Sequence, residues 1–211
     1  MKPVPFFPNP DNSHCYQCCL RMILRFFRPH EKYSWKQLDK MTAKKDGLWT
    51  WAWHGVLEMK NQGFEVVFMQ QFDYKRFAET GEAYLKERFG EETAAAIVKN
   101  SDIPFEQEAA KTLSEMIEPT QVPTLADLKR LLAEGYLAIC NVNSNLLNGQ
   151  EGFSGHFVLV FEIDETTVHA HDPGHPPAPN RQIPIESFEK AWAFPNESDK
   201  TIIAMKPNRP A

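Results

Sequence analysis

Cys15, His156 and Asp172 have the types, and stand in the order, that nucleophilic acyl transfer requires. In that chemistry a thiolate attacks a carbonyl, an imidazole moves the proton, and a carboxylate orients the imidazole. Cys15 opens the segment CYQCCLRMILRFF, where Cys15, Cys18, Cys19, Met22, Ile23 and Phe26 recur at helical spacing. A thiol in a helix's first turn sits among unpaired backbone N–H groups at the positive end of the dipole, which favours the thiolate. Cys18 and Cys19 fall on the apolar stripe and read as core.

His156 opens the apolar run HFVLVFEI, and Asp172 closes the next run in HDPG. If Asp164-Glu165 is the turn of a tight hairpin between them, positions 156 and 172 lie at the same end of that hairpin. Singly, His156 reads as a structural strand histidine and Asp172 as an Asp-Pro-Gly turn residue. Together with Cys15 they form a candidate triad.

The elements that must position these residues follow from periodicity and punctuation. Residues 1–11 form a proline-punctuated arm. Asn12 or Ser13 is predicted to cap the cysteine helix, and Pro29 to end it. Short helices are expected from Ser34 to Met41 and from Thr50 to Gly63, then a strand from Phe64 to Met69. Asp73 to Glu118 is charged and rich in Glu, Lys and Ala, with Pro104, Pro119 and Pro123 interrupting or closing it. It reads as an inserted helical lobe with few apolar positions. Thr124 and Asp127 make a capping box for a helix that Gly135 stops. Strands are predicted at Tyr136–Val142, His156–Ile163, Thr167–His171, Ile183–Ile185 and Thr201–Met205, with a short helix over Ser187–Ala193. Helices first and antiparallel strands later is an α+β order.

Composition narrows the function classes. The chain has 211 residues and a formal net charge of -5 with no basic stripe, so no nucleic-acid partner is expected. Prolines in MKPVPFFPNPDN break the apolar run a signal peptide needs, and no stretch suits a membrane span. Four clustered cysteines make no disulfide framework, so a reducing cytoplasm is the expected location. Neither His14, Cys15, Cys18 and Cys19 nor His169, His171, Asp172 and His175 gives two separated CxxC pairs, so neither a metal nor a cofactor is expected. On a strand, His169 and His171 would face away from Asp172. Trp49, Trp51 and Trp53 read as core at a helix start, the alternative being the lining of a peptide groove.

CYQCCLRMILRFF resembles the nucleophile helix of the bacteriocin-processing, double-glycine leader peptidases of papain fold and their free-standing relatives. Leu20, Met22, Ile23 and Leu24 stand at the matching offsets from Cys15. Gly155 to Gly174, GHFVLVFEIDETTVHAHDPG, is similar to the family's second motif, and Ser34 to Met69 follows its helix, glycine, strand rhythm. The resemblance covers both ends of the chain but not Asp73 to Glu118. It implies one papain-like domain over residues 1–211, with a nucleophile helix and helical lobe packed on a C-terminal antiparallel sheet and a helical insertion at about 73–118.

By the same resemblance Cys15, His156 and Asp172 are the catalytic triad, no cofactor is needed, and the partner is a peptide or protein substrate. The family usually carries a Gln six residues before the cysteine to help hold the oxyanion; Asn9 stands there, one methylene shorter. Tyr16-Gln17 replaces small residues and is predicted to crowd the site. No transmembrane or nucleotide-binding segment is seen, so a transporter-fused domain is not expected. Peptide-bond cleavage is the first expectation. An amidase, deamidase or acyltransferase on the same triad, or a non-catalytic peptide-binding module, are the alternatives.

Overall fold

A computed structural model describes residues 3–116, 122–193 and 195–208. Helix α1 (Cys15–Phe27) buries Cys18, Cys19, Met22 and Ile23 of the expected stripe, leaves Cys15 and Phe26 at its ends half-buried, and buries Tyr16, Gln17, Leu20 and Leu24 as well. Neither Asn12 nor Ser13 caps it. The N-cap is His14, without a side-chain cap bond, and Asn12 takes φ 66° to turn the arm into the helix. Helix α2 (Trp35–Met41) starts from a Ser34/Gln37 capping box. Helix α3 (Trp53–Asn61) starts later than Thr50, because the residues before it are spent on other partners. Trp49 N–H donates to Asn100 O at 2.7 Å, and Trp51 Nε1 to Ser101 Oγ at 2.9 Å. Strand β1 (Phe64–Gln70) follows.

The expected helical lobe consists of α4 (Tyr74–Thr80), α5 (Glu82–Phe89), α6 (Glu91–Lys99) and α7 (Ile103–Met116). Its end at Glu118 and Pro119 lies outside the described residues. Gly81 (φ 51°) and Gly90 (φ 79°) make the breaks either side of α5, in backbone conformations that L side chains resist. The expectation of few apolar positions is corrected here. Phe77, Tyr84, Leu85, Ala94 and Leu113 are buried in the same cluster as Leu20, Met59 and Trp53. Spread over several short helices, and partly supplied by alanine and tyrosine, these residues make no single stripe in the sequence.

The rest is α8 (Leu125–Ala133), β2 (Leu137–Asn143), α9 (Ser144–Leu147), β3 (Gly155–Ile163), β4 (Thr167–Asp172), β5 (Ala178–Pro184), α10 (Ile185–Trp192) and β6 (Thr201–Pro207). The Thr124/Asp127 capping box of α8 is present as expected. The sheet runs β1-β6-β2-β3-β4-β5 with antiparallel pairing throughout. Both faces are covered. Leu137, Ile139, Leu159, Ile203 and Met205 face the helices of the first half, whereas Ala138, Cys140, Val158, Val160, Ile202 and Ala204 face α8 and α10. Burial on both faces is why the strands read as continuous apolar runs rather than alternations.

The β3–β4 connection is Asp164–Thr166, longer than the two-residue turn expected, and Asp164 N–H closes it on Thr167 O at 3.0 Å. Asp164 Oδ1 also accepts the Thr166 and Thr167 N–H groups, which the extra residue makes possible. Strand β5 begins well before Ile183. Its sequence APNRQIP is polar and proline-bearing, as an edge strand tolerates, and shows no strand pattern. Helix α10 correspondingly starts at Ile185.

The shared core makes a direct prediction. Phe77→Ala, in the helical lobe, should lower the unfolding free energy by about 3–5 kcal/mol. Urea titration should show one cooperative transition by both far-UV and tryptophan signals, because α4 and α1 bury residues in one cluster.

Candidate active site

Cys15 is the first residue of α1, and the opening N–H groups of a helix lack intrahelical partners. It is half-buried, whereas Cys18, Cys19 and Cys140 are buried. His156 lies near the start of β3 and Asp172 ends β4. The register Leu159↔His171, carried on, sets Asp172 beside Val158, one side-chain repeat from His156. The two side chains meet there: His156 Nε2 lies 2.7 Å from Asp172 Oδ1. The electrostatics couple His156 to Cys15 as well as to Asp172, and the Asp172 contact on Nε2 leaves Nδ1 free of the carboxylate. The structure thus brings all three sequence-selected side chains into one array.

The electrostatics favour a charged pair. Burial pushes the Cys15 thiol up, but His156 and the Phe157 and Tyr16 N–H groups outweigh that, and its pKa falls below 9.0. Burial pulls His156 down, but its interactions with Asp172 and Cys15 win and raise it from 6.5 to about 9. Asp172 is 3% exposed. Burial raises its carboxyl, and His156, the Gly174 N–H and Arg181 hold it below its ordinary 3.8. Cys18 is pushed up to about 12, chiefly by burial, and burial likewise raises Cys19 and Cys140.

Tyr16 and Gln17 do not crowd this array, contrary to the expectation from their size. Both side chains turn into the interior: Tyr16 Oη donates to Ala52 O at 2.9 Å, and Gln17 Nε2 donates to Thr42 Oγ1 at 2.9 Å. Room for the tyrosine comes from Gly55, where a Cβ would fall 2.4 Å from Tyr16 Oη. Asn9 is buried beside the start of α1. Its Oδ1 accepts the N–H of His14 at 3.1 Å and that of Asp11 at 3.4 Å. Two backbone donors identify the oxygen, so the Nδ2 amide points the other way.

Two residues of the site have no signal in the sequence pattern. Arg181 Nη1 donates to Asp172 Oδ2 at 2.7 Å, from an edge strand that no alternation announces. Gly174 N–H donates to Asp172 Oδ1 at 2.9 Å, and a Cβ on Gly174 would sit 2.9 Å from Asp172 Oδ1 and 3.1 Å from His156 Nε2. The Asp-Pro-Gly tripeptide signals the turn but not this close approach.

His171 takes no part. Its Nδ1 accepts from Asn180 N–H, so its Nε2 donates to Val4 O at 2.9 Å. His169 binds Asp164 at 2.8 Å. Among the described residues no three metal donors converge. Of the tryptophans, Trp53 is core, and Trp51 packs against it. Trp49 is 52% exposed, which corrects its reading as core.

Both the helical half and the six-stranded antiparallel sheet are those of the papain-like C39 peptidase fold. The chain superposes on the peptidase domain of Streptococcus ComA, a bifunctional ABC transporter of a quorum-sensing pathway, with a TM-score of 0.53. That match has 14% identity and covers 97% of this chain and 99% of the other. A C39-like peptidase from Bacillus anthracis gives a TM-score of 0.54 at 14% identity, covering 98% and 96%. These likenesses establish the fold. No protein-family model matches. Uncharacterized proteins from Mycobacterium bovis and two Mycobacterium tuberculosis strains are each 32% identical over 80 residues, or 33% of this chain and 34% of theirs. The chain therefore matches only about a third of the length of these curated relatives.

The tight seat of Gly174 predicts a specific defect. Gly174→Ala should push the His156–Asp172 pair apart. At pH 6 it should slow iodoacetamide labelling of Cys15 by about tenfold, the worth of one pKa unit. Stopped-time mass mapping reads this, with Cys140 as the internal reference.

Proposed function

We propose that the protein is a cysteine hydrolase that cleaves a peptide or amide bond of a peptide substrate. Cys15 acts as nucleophile, His156 as acid and base, and Asp172 as the group that orients His156. The observation that carries this reading is the position of His156, bonded to Asp172 through Nε2 and electrostatically coupled to the Cys15 thiol.

The Cys15 thiolate adds to the substrate carbonyl carbon, and the carbonyl oxygen becomes an oxyanion. The Cys15 backbone N–H and the Asn9 amide donate to that oxyanion. The intermediate collapses to a thioester as protonated His156 gives its proton to the leaving amine. Neutral His156 then takes a proton from water, the hydroxide adds to the thioester, and thiolate leaves with the acid product released. No helix among the described residues is long and apolar enough to cross a membrane, and this chemistry calls for none.

The pH dependence has a defined sign. His156 is raised in the folded chain, so the stabilisation its charge brings is complete below 6.5 and lost as pH rises through about 9. Cys15 is lowered, so the stabilisation from its thiolate is complete above 9.0 and lost as pH falls through its lowered value. Peptide turnover should therefore decline above about pH 9, when the leaving amine loses its proton donor, while iodoacetamide labelling of Cys15 should not decline there. Turnover is read by mass spectrometry on a peptide library. Labelling of Cys15 no faster than of Cys140, or a rate unaffected by His156→Ala, would sink the proposal.

Asn9 has a second test. Asn9→Ala should slow turnover by about 10²–10³, the usual worth of one oxyanion donor. Asn9→Asp keeps an oxygen for the His14 N–H but removes the amide donor, so it should cost as much. An Asn9→Asp variant with native turnover would leave Asn9 only its structural bond.

A further inference from the structure

Arg181 is not required for a Cys-His-Asp array, yet both ends of its guanidinium are committed. Nη1 holds Asp172 Oδ2 at 2.7 Å, and Nη2 donates to the carbonyl of Leu147, the last residue of α9. A planar fork can hold two acceptors in a fixed relation; an ammonium is a point charge.

Leu147 belongs to the segment Ser144–Ser154, which is bonded mainly to itself. Ser144 N–H donates to Ser154 O at 2.9 Å, and Gln150 N–H to Asn145 O at 2.8 Å. Buried Asn143 fastens the root: Nδ2 donates to Gly152 O at 2.9 Å, and Oδ1 accepts the Ser154 and Asn145 N–H groups at 3.1 Å. This closed loop carries Phe153, which is 57% exposed. The ring lies against Gly155, where a Cβ would be 3.2 Å from it, immediately before His156. The Arg181–Leu147 bond is therefore a link from the Asp172 carboxylate to a loop whose exposed aromatic ring lies at the start of β3, the strand that carries His156.

We infer that Arg181 is a positioning residue that ties Asp172 and the Ser144–Ser154 loop into one unit, so that Phe153 receives an apolar side chain of the peptide next to the scissile bond while the carboxylate stays aligned with His156. This rests on the peptidase reading above and adds its specificity element. The titratable and charged groups around Asp172 are Cys19 on α1, His156 on β3 and Arg181 on β5, with Cys15 coupled to it through His156. Removing the guanidinium lets Asp172 keep its proton to higher pH and disfavours the Cys15 thiolate as well. Both effects move the acidic limb of Cys15 reactivity upward.

The experiment uses the full chain and two probes. Iodoacetamide reads the thiolate alone. Peptidyl chloromethyl ketones with leucine or serine beside the reactive carbon read the loop as well. Arg181→Met should raise the acidic limb of iodoacetamide labelling by about one pH unit and reduce the leucine-over-serine preference. Arg181→Lys should restore the limb but not the preference, since it keeps the charge and loses the Leu147 bond. If Arg181→Met does not fold by circular dichroism, Arg181→Lys against the native chain decides. Phe153→Ser should abolish the preference and leave the limb in place. Native limb and preference in Arg181→Met, or native preference in Arg181→Lys or Phe153→Ser, would overturn the inference while the peptidase reading stands. Cys15 without enhanced reactivity in the native chain would overturn both.

Discussion

The burial of the Asp172 carboxylate is the constraint on which the rest of the site turns. A charge so far from water is stable only if its lone pairs are filled. Removing one partner of a buried ion pair costs about 3–5 kcal/mol. Asp172 meets this with His156 and the Gly174 N–H on Oδ1 and Arg181 on Oδ2. Each donor comes from a different place: β3, the turn after β4, and β5. The strand order β3-β4-β5 is what puts these donors around one carboxylate. Sheet topology and site electrostatics are thus a single arrangement.

The same carboxylate explains why a buried histidine can be charged here. Burial disfavours imidazolium, and without Asp172 it would leave His156 neutral and unable to hold a thiolate. With the carboxylate on Nε2 and Cys15 coupled to the same ring, the balance reverses and the pKa rises to about 9. The buried Cys18, Cys19 and Cys140 show the alternative: burial is the largest cause in each, and their thiols are pushed up. The contrast between Cys15 and its neighbours one turn away comes from position on α1.

Much of this was readable in the chain, for identifiable reasons. The α1 stripe, the Thr124/Asp127 box and the apolar strands come from local periodicity and capping, which sequence carries directly. The candidate triad was legible because a hairpin fixes two of its members relative to each other. What escaped had no local signature. Arg181 sits in APNRQIP, a polar edge strand held by pairing rather than by its own pattern. The helical lobe looked poor in core residues because α4, α5, α6 and α7 each give only a few to the shared cluster. Tyr16 looked obstructive because its accommodation depends on Gly55, far along the chain.

The remaining problem is how two halves of different construction keep one nucleophile aligned with one imidazole. Cys15 belongs to the helical half, and His156 and Asp172 to the sheet. The N-terminal arm joins them. Asn9 N–H donates to Pro173 O at 2.9 Å, next to Asp172, while Asn9 Oδ1 holds the N–H of His14, next to Cys15. Further back, Val4 O accepts from His171 on β4. His14 is itself braced, with Nδ1 2.6 Å from Asp11 and Nε2 3.0 Å from Asp39, so the start of α1 is tied to the arm and to α2. One residue, through its backbone N–H at one end and its short side chain at the other, therefore spans from the residue after the carboxylate to the residue before the nucleophile. A glutamine at this position could keep the backbone bond to Pro173, but its longer side chain would have to place its oxygen differently to hold His14. The shorter asparagine fits a site in which the arm itself is drawn in against the sheet.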